Sequence, residues 1–117
     1  YKEESQGPLL VAQIEHKVAI ENIESILTVK GLDAVFVGPY DLSASYGVTG
    51  DFDSEIYKSS IRKLIGACTK YEIPIGIHVV APDQEELKER IKRKFTFIAY
   101  SIDSVFLHKI SVNPYEQ

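Results

Sequence analysis

Ala34-Val35-Phe36-Val37-Gly38-Pro39-Tyr40-Asp41-Leu42-Ser43 is the stretch whose reading decides the fold. Ala34 to Val37 is a short, wholly apolar run with two valines, as expected of a buried strand. Gly38-Pro39 breaks it, because proline offers no backbone N–H to a ladder. Asp41 follows at once, and Leu42-Ser43-Ala44-Ser45 opens a short helix. A strand ending in a sharp turn with an acid at its tip is how parallel α/β proteins present chemistry.

The same strand–helix alternation extends in both directions. Upstream, residues 1–7 read as the tail of an earlier helix, ended by Pro8. Leu9 to Ile14 reads as a strand covered on both faces. A helix follows from about His16 to Val29, with Ala19, Ile23, Ile26 and Leu27 on one face. Gly31 is its stop. Downstream, Asp51 or Asp53 caps a helix that reaches about Tyr71, with Tyr57, Ile61, Leu64, Ile65 and Cys68 as its buried stripe. Ile73 to Val80 is the third strand. Asp83 caps the next helix, Glu86 closes a capping box, and Leu87 and Ile91 supply its core contacts. This helix, to about Lys94, is expected to be the most exposed. Phe95 to Tyr100 is the fourth strand, Ser104 to Ile110 a last helix, and residues 111–117 a loose tail. The class is therefore α/β: four consecutive βα units with parallel strands and right-handed crossovers. A full (β/α)₈ barrel needs about 250 residues. A chain of 117 fits either a small doubly wound sheet or half of a barrel.

Composition narrows the function classes. The chain is 44% hydrophobic and 26% charged, ordinary for a globular protein. No apolar run is long enough for a membrane span, and no signal-peptide pattern is present. A net charge of -4 argues against a general nucleic-acid binder. The basic run of Lys88, Arg90, Lys92, Arg93 and Lys94 is interleaved with Glu85, Glu86 and Glu89, as on a solvated helix face. Cys68 is the single cysteine, which fits a reducing compartment and a cytoplasmic setting. The chain has no methionine and begins at Tyr1, so the expectation is a segment of a longer polypeptide.

In a parallel sheet the carboxyl ends of all strands share one rim. Here that rim carries Gln13 and Glu15, then Gly38 to Asp41, then His78, then Ser101 and Asp103. Glu15 and Asp41 each follow a strand directly. Two neighbouring carboxylates repel unless one is protonated or a cation lies between them. A hard divalent cation, Mg²⁺ or Mn²⁺, suits such a pair. The plainer alternative is that Asp41 caps its helix and Glu15 caps another or pairs with a lysine. The backbone N–H groups of Tyr40 and Asp41, at a helix start, suit a substrate carboxylate. His16, His78 and His108 form no ligand cluster by spacing. There is no GxSxG, Walker loop or GxGxxG, which disfavours serine hydrolase, P-loop and dinucleotide chemistry.

Ala12-Gln13-Ile14-Glu15, followed by Gly31-Leu32-Asp33-Ala34 through Gly38-Pro39-Tyr40-Asp41-Leu42-Ser43-Ala44-Ser45, resembles the HpcH/HpaI aldolase family, the class II pyruvate aldolases. The 26-residue spacing from Glu15 to Asp41 matches the spacing of that family's metal-binding carboxylates. Phe95 to Tyr100 followed by Asp103 resembles its last barrel strand. The resemblance runs from about Leu9 to Leu107. It implies the second half, strands five to eight, of a (β/α)₈ TIM barrel. It implies a lyase that cleaves 4-hydroxy-2-oxo acids to pyruvate and an aldehyde through a metal-stabilised enolate. Glu15 and Asp41 then bind the metal (Mg²⁺, Mn²⁺ or Co²⁺), Gln13 assists next to it, and Gly38, Pro39, Tyr40 and Asp41 bind substrate. A homo-oligomer is implied, with an arginine and a histidine supplied by the first half. The family commonly has glycine where this chain has Lys94 and Ser101, and Ser101 is expected to narrow the pocket. Two alternatives stand beside this: an acyl-CoA lyase of the citrate-lyase β-subunit kind, and a non-catalytic assembly module.

Overall fold

The computed structural model describes residues 7–111 and 115. The earlier helix read from residues 1–7, apart from Gly7, and most of the loose tail lie outside the described residues. Strands β1 (Val11–Ile14), β2 (Ala34–Val37), β3 (Ile75–Val79) and β4 (Phe97–Tyr100) form one parallel sheet in the order β1-β2-β3-β4. Helices α1 (Lys17–Glu21), α2 (Ile23–Leu27), α3 (Pro39–Ser45), α4 (Glu55–Tyr71), α5 (Gln84–Lys92) and α6 (Asp103–Ile110) fill the connections.

The strand order resolves the alternative that the sequence left open. A doubly wound sheet reverses direction at a switch point; this one does not. Each right-handed crossover moves one strand along in the same direction, so every helix falls on the same face. That is the winding of a barrel wall. The radius of gyration is 16.7 Å, against about 13 Å for a compact domain of this length. The chain is an open shell.

Strand side chains alternate between the faces. Ile14, Val35, Val37, Ile75 and Ile77 point into the helical layer. There they pack with Ile20, Ile23 and Leu27 of α1 and α2 and with Tyr57, Ile61, Leu64 and Cys68 of α4. The other face carries Gln13, Phe36, Gly76, His78, Phe97 and Ala99, and no described helix covers it. The two-faced covering expected for β1 is thus replaced by one covered and one open face, and Val11 is 42% exposed. Phe36 and Phe97 stack at 5.7 Å across the strand between them, over Gly76. A Cβ at Gly76 would sit within the Phe97 ring's van der Waals envelope, so this strand position takes glycine.

Several local expectations are corrected. The helix expected over residues 16–29 is two helices broken at Asn22. The Asn22 side chain donates to the Val18 carbonyl at 2.8 Å and competes with the backbone ladder. Neither Asp51 nor Asp53 caps α4. Its N-cap is Ser54, while Asp51 accepts from the N–H groups of Asp53 and Ser54 in the preceding turn, and Asp53 pairs with Lys58. Asp83 does cap α5, accepting from the N–H groups of Glu85 and Glu86. Glu86 does not reach back; it pairs with Arg90 at 2.8 Å. Leu87 is half-buried and Ile91 is exposed, so α5 buries no residue fully; α6 is more exposed still. The outer helices ride on the edge of the shell, where a single strand offers little to pack against.

Candidate functional site

The β1–β2 register sets Gln13 opposite Phe36 and Ile14 opposite Val37. The next residues, Glu15 and Gly38, therefore meet at the carboxyl rim. The Gly38 N–H donates to the Ile14 carbonyl at 3.2 Å and carries the ladder one step further. The Gln13 side-chain amide donates to Glu15 Oε2 at 2.8 Å. Gly38 lies against this pair: a Cβ there would be 3.2 Å from Gln13 Nε2 and 3.3 Å from Glu15 Cβ. The two motifs of the sequence are thus in direct contact.

Gly38 is the N-cap of α3, and Pro39 opens its first turn, where a missing N–H costs nothing. The N–H groups of Tyr40 and Asp41 belong to that first turn and have no intrahelical acceptor. The capping alternative fails for both acids. No side chain caps α3, and α1 is capped by His16, whose Nδ1 accepts from the Val18 N–H. Among the described residues, Asp41 makes no side-chain hydrogen bond or ion pair, and Glu15 is bonded only to Gln13. Both carboxylates are exposed at the rim. The fold spends neither on structure.

Two serines of the motif do what the sequence reading missed. Ser43, fully buried, donates to the Tyr40 carbonyl at 2.8 Å and accepts from the Gly50 N–H at 3.0 Å. Ser45 donates to the Leu42 carbonyl at 2.7 Å and accepts from the Lys17 N–H at 2.9 Å. Ser45 therefore ties the helix carrying Asp41 to the segment that follows Glu15. The only sequence signal was a pair of hydroxyls two positions apart in a short helix. Tyr40 is 45% exposed, and its ring meets Phe52 edge-on at 5.1 Å.

His78 sits on the open face, half-buried, with Nε2 3.3 Å from the Ser101 carbonyl oxygen. It bridges the ends of β3 and β4. No group of three His, Cys, Asp or Glu side chains among the described residues is placed to hold a metal. The side chains of Glu15, Asp41 and Gln13 offer this part of the rim oxygen donors and no sulfur or imidazole. That set fits a hard divalent cation that keeps several waters, and fits a soft thiolate-seeking metal poorly. Cys68 is buried, and burial pushes its thiol up to about 11, which suits an inert core residue.

The two departures from glycine are visible in the backbone. Lys94 has φ +70° and Ser101 φ +62°, both in the left-handed region that glycine occupies at least cost. Ser101 is 7% exposed, and its hydroxyl has no hydrogen-bond partner.

A singly wound parallel α/β shell is a segment of a parallel barrel wall. The chain belongs to the HpcH/HpaI aldolase/citrate lyase family, whose model matches residues 2–109. It is 32% identical over 103 residues to a hydroxypyruvate/pyruvate aldolase of Chromohalobacter salexigens, covering 88% of this chain and 40% of that protein. An HpcH/HpaI aldolase from Desulfitobacterium hafniense superposes with a TM-score of 0.82 at 30% identity, over 92% of this chain and 41% of that one. A citrate lyase β subunit from M. tuberculosis, solved with oxaloacetate and magnesium, shares the fold at a TM-score of 0.67 and 16% identity, over 88% of this chain and 51% of that one. The chain spans about 40% of the length of the curated relatives it matches. Its homologues include class II aldolases, which are carbon–carbon lyases.

Proposed function

We propose that this chain supplies the metal and carboxylate side of a cytoplasmic class II aldolase that cleaves 4-hydroxy-2-oxo acids to pyruvate and an aldehyde. The observation that carries the reading is the contact of Gln13 and Glu15 with Gly38, beside an acid, Asp41, that the fold leaves unengaged. Its four βα units are read as strands five to eight of a (β/α)₈ barrel, working within a homo-oligomer.

Glu15 and Asp41 would hold a divalent cation, Mg²⁺ or Mn²⁺, with Co²⁺ also suited. When bound, it supplies Lewis-acid polarisation of the substrate's 2-oxo group. The relative solved with magnesium supports that choice. Gln13 keeps the Glu15 carboxylate in one orientation through its 2.8 Å hydrogen bond. Gly38 and Pro39 shape the turn, and the free N–H groups of Tyr40 and Asp41 receive the substrate carboxylate. Ser45 keeps Asp41 in register with Glu15. Proton transfer is assigned to no residue of this chain, so the chain alone is expected not to turn over.

The test is metal-dependent exchange of pyruvate methyl protons with deuterated water, followed by NMR, in a polypeptide carrying this chain within a complete barrel. Glu15→Ala and Asp41→Ala should each abolish exchange; unchanged exchange in both refutes the assignment. A lyase on acyl-CoA substrates is the second reading, favoured by the fold match to a citrate lyase β subunit. Cleavage of a CoA thioester in place of exchange distinguishes it. A third reading, an assembly module without catalysis, rests on the uncovered sheet face, and metal-dependent exchange excludes it.

A further inference from the structure

The basic run of α5 does more than solvate a helix. Arg90, Lys92, Arg93 and Lys94 form one wall of a cleft of about 440 Å³ between α4 and α5. Lys58 and Arg62 of α4 stand opposite. Phe52, Tyr57 and Ile61 form an apolar floor, with the Phe52 and Tyr57 rings 5.2 Å apart. Four of the cations have carboxylate partners: Lys58 with Asp53, Arg62 with Glu55, Arg90 with Glu86 and Lys92 with Glu89. Arg93 and Lys94 have none among the described residues, so the cleft carries two more cations than carboxylates.

A second observation points to a missing partner. Tyr57 is 2% exposed, and its hydroxyl has no hydrogen-bond partner. Arg90 Nε is buried and equally unpartnered. Both residues line the cleft, and both atoms can donate to an acceptor. An acceptor oxygen reaching the floor of the cleft would give a partner to whichever of these donors turns toward it. The cleft belongs to the outer helical layer and shares no residue with the Glu15–Asp41 rim.

We propose that this cleft is a binding site for a phosphomonoester carried on an aromatic or similarly flat apolar body. The dianion matches the excess of two charges, guanidinium groups match phosphate geometry, and the Phe52–Tyr57 floor takes the ring. The volume lies within the range of small-molecule sites.

The test is calorimetric titration of the full chain with phenyl phosphate, inorganic phosphate and phenol at 0.15 M salt. Phenyl phosphate should bind at least tenfold tighter than either fragment. The double variant Arg93→Gln/Lys94→Gly should weaken it tenfold or more, while circular dichroism shows an unchanged fold. Tyr57→Phe should weaken it several-fold, and Glu15→Ala should leave it unchanged. Saturation by none of the three probes, phenyl phosphate binding no tighter than inorganic phosphate, or full affinity in the double variant overturns the proposal.

Discussion

Gly38→Ala separates the site from the fold. Gly38 has φ -94° and ψ 92°, which alanine adopts without strain. The substitution restricts the unfolded chain and by itself stabilises by about 0.4–1 kcal/mol. Against this, the new methyl would stand 3.2 Å from Gln13 Nε2, 3.3 Å from Glu15 Cβ and 3.5 Å from Glu15 Oε2. Gln13 Nε2 ends an exposed side chain and can swing away, whereas Glu15 Cβ moves only with its backbone, just past β1; that shift of a few tenths of an ångström offsets the gain. The expected net change in stability is within about 0.5 kcal/mol. The local cost falls on the 2.8 Å bond from Gln13 to Glu15. A hydrogen bond of this kind contributes about 1 kcal/mol net. Its loss raises the cation dissociation constant about fivefold. The assay is Mn²⁺ binding by EPR, with urea unfolding alongside. Glu15→Ala sets the floor for binding. Wild-type Mn²⁺ affinity in Gly38→Ala, at unchanged stability, refutes the argument that the close approach of the two motifs organises the site. A large loss of stability refutes the division between site and fold.

Ser101→Gly should stabilise the chain by about 1 kcal/mol, because it relieves a left-handed φ and removes a buried hydroxyl without a partner; urea midpoints measure it. Lys94→Gly should act in the same direction and more weakly, through φ alone. Gly76→Ala should destabilise by about 1–2 kcal/mol, since the Phe97 ring must leave its stack on Phe36. In a double-mutant cycle, Phe97→Ala should remove most of that cost. For Cys68, burial raises the folded thiol from 9.0 to about 11. The folded state keeps a proton that the unfolded chain releases, so its contribution is full below about pH 9 and is lost as pH rises toward 11. Tyr57, pushed up to about 12 by burial, adds a second loss above pH 10, and Cys68→Ala isolates the first by removing it from urea unfolding curves. The open sheet face and unpaired strand edges should make the chain alone self-associate; a monodisperse monomer in size exclusion with light scattering contradicts this.

The elements were legible because their signals are local. The four apolar runs became the four strands, and α4 ended at Tyr71 as its stripe implied. The rim position of the two acids was legible because Glu15 directly follows β1 and Asp41 lies in the first turn of the helix that follows β2. What was missed depends on partners remote in sequence or on competing local bonds. Asn22 broke a helix by bonding its own backbone, Asp51 served a turn instead of α4, and Glu86 chose Arg90 over the cap. The role of Ser45 required Lys17, 28 residues away, to be beside it.

The sequence by itself determined the repeating βα unit and put two polar motifs at the carboxyl ends of neighbouring strands. These follow from residue type and short-range periodicity. It did not determine whether the sheet winds one way or two, because a buried parallel strand has the same apolar pattern in either. Only the order β1-β2-β3-β4 settled that, by placing all helices on one face. The tertiary structure alone also brought Gly38 against Gln13 and Glu15, since register is a relation between strands. It alone turned the basic run of α5 into one wall of a cleft, because the opposing cations lie some thirty residues away on α4.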